Sequence, residues 1–152
     1  MAFLPHIQFQ LGRRTTDGVA VPAIWTCIDS GDGANVGYLA CFEALVVSYP
    51  EVLEKIYTTS DGSYSPITMS GIVSDDTTGV TSTQMPVAFE LRTPYRTIDG
   101  TRLNVIVALG KDVSVNFILS NAWMKAARAV MDYGNNTLRV PFTDKDNSFA
   151  LN

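Results

Sequence analysis

The chain has 152 residues, 46% apolar and 17% charged, a globular composition that can bury one sizeable core and that excludes a predominantly disordered chain. One domain spanning residues 1–152 is the expectation. The formal charge of -4, with basic residues scattered and only Arg13 and Arg14 adjacent, argues against a nucleic-acid partner.

The opening MAFLPHIQF lacks a basic segment followed by a long apolar core, and nowhere do about eighteen apolar residues run together. Neither a signal peptide nor a membrane partner is expected, and the protein reads as soluble and cytoplasmic. His6 to Leu11 forms the first predicted strand. His6 is the only histidine and reads as a terminal strand residue, which leaves little room for Ser-His or Cys-His nucleophile chemistry. Thr16-Asp17-Gly18 supplies a turn, and Val19 to Ile28 the second strand. Cys27 and Cys41 are too few for a disulfide framework and wrongly spaced for zinc, so they read as buried thiols in a reducing compartment.

SYPEVLEKIY, Ser48 to Tyr57, offers a cap, a first-turn proline and apolar Val52, Leu53 and Ile56, and is predicted as a short helix. Ser60-Asp61-Gly62 is the next turn, and the polar Ser74 to Gln84 a surface loop. Strands follow at Pro86 to Tyr95 and Thr101 to Leu109, punctuated by Ile98-Asp99-Gly100. Ser120 or Asn121 caps a second helix with Trp123, Ala126, Ala127 and Val130 on one face, and Trp123 reads as core. Gly134-Asn135-Asn136 turns the chain into a last strand, Thr137 to Phe142. The whole reads as an all-β protein, a small barrel with one short helix near its carboxyl end.

The second strand raises the functional question. WTCIDSGDGANV, Trp25 to Val36, carries an apolar run up to one carboxylate, Asp29, and then breaks into Ser30, Gly31, Asp32 and Gly33. Asp-Ser-Gly is an ordinary turn tripeptide, since Asp and Ser accept backbone hydrogen bonds and Gly tolerates the left-handed region. As a metal loop, Asp29, Asp32 and Asn35 lack the alternating spacing and terminal glutamate of a calcium site. No metal and no cofactor are expected. Trp25 reads as core or interface packing rather than a pocket wall.

The context on both sides carries a third reading. A hydrophobic strand ending in Asp-(Ser/Thr)-Gly resembles the active-site loop of the retropepsin-like aspartic proteases of retroviruses and long-terminal-repeat retrotransposons. About ninety residues downstream, VNFILSNAWMKAARAVMDYGNNTLRV, Val115 to Val140, resembles the family's closing strand, helix and hairpin. Asn35 falls where many retrotransposon members carry Asn after the loop. Two positions depart from the pattern. Asp32 replaces an alanine, and Ser120 replaces a glycine that lets the helix start approach the active-site loop.

The resemblance implies a closed retropepsin-type barrel acting as a homodimeric aspartic endopeptidase on a polypeptide substrate. The tripeptide occurs once, so a second copy of the chain must supply the second carboxylate. Two carboxylates sharing one proton can both activate water and protonate the scissile carbonyl, because their like charges forbid double ionisation. On this reading Asp29 is catalytic, Ser30 bonds across the interface, and Gly31 lets the backbone lie close to the substrate. Asp32, Tyr57, Asp61, Gly62 and Tyr64 are the candidate substrate-binding residues. The covering flap is expected at Tyr57 to Gly71 with Asp61-Gly62 near its tip, and Ser74 to Gly79 is the alternative tip. Asp132 is read as a structural hydrogen-bond acceptor. Two rivals remain: a catalytically silent dimerisation or peptide-binding module, motivated by Asp32 and Ser120, and a plain structural β-barrel.

Overall fold

The computed structural model describes residues 5–12, 22–29, 34–65, 67–70, 82–97, 99–113, 115–140 and 148–150. The chain is mostly β. Its main layer is a sheet of seven strands: β1 (His6–Gln10), β2 (Ala23–Asp29), β3 (Asn35–Tyr38), β4 (Leu53–Thr58), β7 (Val87–Leu91), β8 (Val105–Gly110) and β9 (Phe117–Ser120). They lie side by side in the order β1-β2-β9-β3-β8-β7-β4. Hairpin β5 (Ile67–Ser70) and β6 (Ser82–Met85) stands apart from it, as does an antiparallel sheet of β10 (Val130–Asp132), β11 (Thr137–Arg139) and β12 (Ser148–Ala150). The main sheet is open: among the described residues β1 and β4 are its edges, and the expected closed barrel is not formed.

Bulky residues at alternate positions fix which face is inside. Ile7 and Phe9 on β1, Ile24 and Ile28 on β2, Phe89 and Leu91 on β7, Val105, Val107 and Leu109 on β8, and Phe117 and Leu119 on β9 join one buried cluster. Trp123 packs there against Phe9 and Tyr95, with ring centroids 5.0 and 5.4 Å apart, as expected of a core residue. The Tyr95 hydroxyl is itself anchored, accepting from the Gln10 amide at 3.0 Å. The opposite face carries a smaller buried cluster of Cys27, Val36, Met85, Ala108, Val113 and Ile118.

The helices differ from expectation. Ser48 to Tyr57 is not an α-helix: Pro50–Val52 makes a single 3-10 turn, and Leu53 then enters β4. Pro50 disfavours helical backbone at the residue before it, and Tyr49 has left the helical region, at φ -134° and ψ 70°. The helix lies upstream instead, at α1 (Leu39–Ser48), an almost wholly apolar run with no helical period in its hydrophobicity to betray it. Phe42 drives it onto the sheet, fully buried above Gly37. The second helix, α2 (Asn121–Ala126), forms as expected with Ser120 at its N-cap position, but it ends before Arg128, whose φ of 54° breaks the helix. Ala127 is buried, whereas Ala126 and Val130 are exposed. No helix among the described residues is long and apolar enough to cross a membrane.

The turn at Asp61-Gly62 forms, with Gly62 in the left-handed region at φ 75°. It is not a hairpin tip, because β4 pairs with β7 and β5 pairs with β6. Ile67–Ser70 and Ser82–Met85 pair with each other, and residues 71–81 lie outside the described residues. That segment contains the alternative tip, Ser74 to Gly79.

Candidate functional site

Alternation on β2 decides where Asp29 goes. Ile24, Thr26 and Ile28 face the main core, so Trp25, Cys27 and Asp29 face the other side. Pairing extends that side across the whole sheet: His6, Cys27, Ile118, Val36, Ala108, Ala88 and Tyr57 are successive register partners. One residue row further on, Asp29 pairs with Ser120 on the parallel strand β9. Asp29 is half-buried at the end of β2, while Ser120 is only 1% exposed. Ser30, Gly31 and Asp32 lie outside the described residues, as does the turn at Thr16-Asp17-Gly18.

Asn35 locks this corner. Its Oδ1 accepts a hydrogen bond from the Ser120 amide at 2.8 Å, and its Nδ2 donates to the Ile106 carbonyl at 3.0 Å. One side chain thus ties the start of β3 both to β8 and to the junction of β9 with α2. Beside it opens a pocket of roughly 270 Å³, lined by Ala34, Asn35, Tyr64, Ala88, Ile106, Ala108, Ser120 and Ala122. Four alanines make it roomy, since small side chains on adjacent strands leave a trough between bulkier flanks. Among the described residues, no basic or acidic one lines it.

The expected substrate-binding residues separate into groups. Tyr64 lines the pocket with Asn35 and Ser120. Tyr57 pairs with Ala88, a pocket residue, but its hydroxyl donates to Glu90 Oε1 at 2.7 Å. Asn104 Nδ2 donates to the other Glu90 oxygen at 2.8 Å, and Lys55 Nζ sits 4.7 Å above the Tyr57 ring. The Asn104 bond, then the Tyr57 bond, holds the Glu90 carboxyl below its ordinary range. The same contact, Glu90 accepting from Tyr57, pushes the Tyr57 phenol up. Asp61 accepts from the Ser63 amide at 2.9 Å and its hydroxyl at 2.5 Å, and those bonds lower its carboxyl. Both Asp61 and Gly62 are exposed in this turn, and neither lines the pocket.

Asp132 behaves as the structural acceptor expected of it. It receives the Asn135 amide at 3.1 Å and Asn135 Nδ2 at 2.8 Å, closing the β10–β11 turn. Trp25 departs from expectation: it is 40% exposed and stacks on His6 at 5.3 Å. Both rings line a second pocket of roughly 220 Å³ with Cys27, Val115, Asn116 and Phe117. The reason is its strand parity, which puts Trp25 on the face with Asp29 rather than in the main core. Cys27 is buried and Cys41 half-buried; neither is in a disulfide among the described residues, and burial raises the pKa of Cys41.

No protein-family model matches the chain, and no curated protein does. The geometry offers a carboxylate at a strand end, Ser120 paired with it on the neighbouring strand, and a small-residue trough that Ser120 lines and Asp29 does not. The spaced alanines Ala88 and Ala108, in strands otherwise bulky at alternate positions, are the sequence signal that points to the trough.

Proposed function

We infer that this chain is a retropepsin-like aspartic endopeptidase, active as a homodimer in which two Asp29 carboxylates share one proton and activate a water. The observation that carries this reading is the side-by-side placement of Asp29 and Ser120. The resemblance requires the active-site loop and the start of the closing helix to meet, and these two residues are the ends of β2 and β9 at that point. Two further features support it. The hairpin β5–β6 brings Met85, fully buried, onto the face that carries Asp29. The trough beside Ser120 offers side-chain room for a substrate in extended conformation.

Each chain's residues then have defined tasks. One Asp29 takes a proton from water as it attacks the scissile carbonyl, while the protonated partner donates to the carbonyl oxygen. Asn35 holds the β9–α2 junction against β3, so the strand beside Asp29 cannot drift from it. The hairpin's described base closes over the substrate's flank and limits water access. The unlinked Cys27 and Cys41 fit a reducing compartment such as the cytoplasm.

The test is cleavage of a diverse peptide pool followed by mass spectrometry, at pH 4 to 7 and at decreasing protein concentration. Asp29→Asn should abolish cleavage and leave the fold intact, and wild-type activity should fall when dimers dissociate on dilution. Undiminished cleavage by Asp29→Asn ends the proposal. The silent-module reading keeps one specific support, Ser120, whose side chain fills space next to Asp29 where a glycine is the family pattern. A wild-type chain that binds peptides without cutting them would establish it.

A further inference from the structure

β4 ends the main sheet: among the described residues it pairs with β7 alone, and Glu54, Lys55 and Ile56 are exposed in a row. An unpaired edge is a template for another strand, and proteins ordinarily blunt it with charge. Here both charges are drawn back onto their own chain. Glu54 Oε2 bridges Arg92 Nη2 at 2.5 Å, and Lys55 Nζ lies 4.7 Å above the Tyr57 ring. Beside them the edge shows Ile56, 44% exposed although it is the register partner of Phe89, a core residue. The apolar layer on that face thus continues to the edge of the sheet and stops there uncovered.

The backbone indicates which groups face outward. The Thr58 amide donates to Ser63 Oγ at 3.2 Å, and the Thr58 carbonyl accepts from the same hydroxyl at 3.4 Å, so both serve the following turn rather than β7. Such residues alternate along an antiparallel strand, which places the Ile56 amide and carbonyl on the same open side. Two copies of β4 laid antiparallel about Ile56 can therefore exchange both backbone bonds at that residue. The core faces of the two sheets then lie on one side, with the isoleucines against each other. On the opposite face Lys55 falls across from Tyr57 of the second copy, and Glu54 falls across from Thr58, so no like charges meet. Neighbouring registers fail: centring on Glu54 or Lys55 opposes like charges, and centring on Tyr57 runs past the end of β4 at Thr58.

We propose that the β4 edge is a self-association surface, through which two copies of this chain join their main sheets antiparallel across Ile56. β4 lies at the opposite end of the strand order from β1 and β2, so this contact does not use the end that carries Asp29. It does not rest on the endopeptidase reading, and where both contacts form, two different two-fold contacts on one chain link dimers into larger assemblies. One short strand pair buries less than a stable dimer needs, so the contact is weak and concentration-dependent, with a Kd on the order of 100 μM.

The experiment is sedimentation velocity on the full chain from about 10 to about 500 μM, a range that brackets such a Kd, for wild type and Ile56→Lys. Disulfide trapping of Ile56→Cys is the independent measurement. Wild type should gain mass across the range, and Ile56→Lys, which sets two ammonium groups together, should lose that part of the gain with its melting temperature unchanged. On mild oxidation Ile56→Cys should form a covalent dimer that wild type, with Cys27 and Cys41, does not. Mixed Glu54→Cys and Thr58→Cys chains should cross-link to one another more than either does to itself, which fixes the register. A mass curve that Ile56→Lys leaves unchanged, or the absence of an Ile56→Cys cross-link, overturns the proposal. Cleavage that Asp29→Asn abolishes, in a chain that never cross-links through Ile56→Cys, removes this contact and leaves the endopeptidase. A chain that cuts nothing and still cross-links there leaves the contact and removes the endopeptidase.

Discussion

Asp29 and Ser120 stand beside each other on parallel strands and on the same face of the sheet, although most of the chain separates them in sequence. The side chain of Ser120 does not force the start of α2 away from β2. The extended backbone of Ser120 keeps its Cβ out of the strand ladder, and Asn35 clamps its amide from the other side. The corner that carries Asp29 is thus held by a side chain from a third strand rather than by the absence of one.

The clamp is directly testable. Asn35→Ala removes an acceptor for the Ser120 amide and a donor for the Ile106 carbonyl, and should destabilise the chain by about 1–3 kcal/mol. Amide exchange at Ser120 should accelerate more than at Leu109, which lies outside the clamp. Asn35→Asp keeps the acceptor and should preserve most of Ser120's protection. Equal exchange rates in Asn35→Ala and wild type would show that the strand ladder alone holds the junction.

Gly37 sets how closely α1 can approach the sheet. A Cβ built there would collide with Phe42 Cε2 and lie 3.1 Å from Leu109 Cδ2. Phe42 is fully buried and meets Phe117 edge-on at 5.5 Å, so it has little room to retreat. Gly37→Ala should therefore cost about 1–3 kcal/mol, read from the denaturant midpoint at constant slope. Adding Phe42→Leu should recover part of that loss, a coupling that two independent lesions would not show.

The polar network on β4, β7 and β8 gives a signed pH dependence. Asn104 first and Tyr57 second hold the Glu90 carboxyl below its ordinary range. A carboxyl depressed in the folded state contributes stability above its unfolded pKa, and that contribution is lost as pH falls through the folded value. Glu90→Gln should accordingly lower thermal stability at pH 7 by about 1 kcal/mol or less, a small figure because the site is partly exposed. The gap from wild type should close as pH falls below the ordinary carboxylate range. A gap that widens with acidification would reverse the sign and discard the assignment.

Local chemistry in the sequence was enough for the bends at Gly62, Gly100 and Asn136 and for the parity of most described strands. Asp99-Gly100 and Asn135-Asn136 carry positive φ where their residue types predict it, at Gly100 and Asn136. The alternation of Ile24, Thr26 and Ile28 against Trp25, Cys27 and Asp29 already separated the core from the candidate site. Of the two readings of Trp25, core or interface packing, its 40% exposure removes only the core, because alternation names two faces without saying which of them another layer covers. The helix α1 escaped because a run apolar on every side has no period, and Pro50 lent a misleading cap to the strand that follows.

What residue order determined by itself was a β-rich chain with one conspicuous carboxylate at the end of an apolar strand, because strand parity and turn chemistry act between near neighbours. Only tertiary structure decided that Ser120 and Asn35 meet beside that carboxylate, that Tyr64 reaches the trough while Tyr57 turns to Glu90, and that β5 pairs with β6. Those contacts join residues far apart along the chain, and their register follows from how whole faces pack, a property no short window of sequence contains.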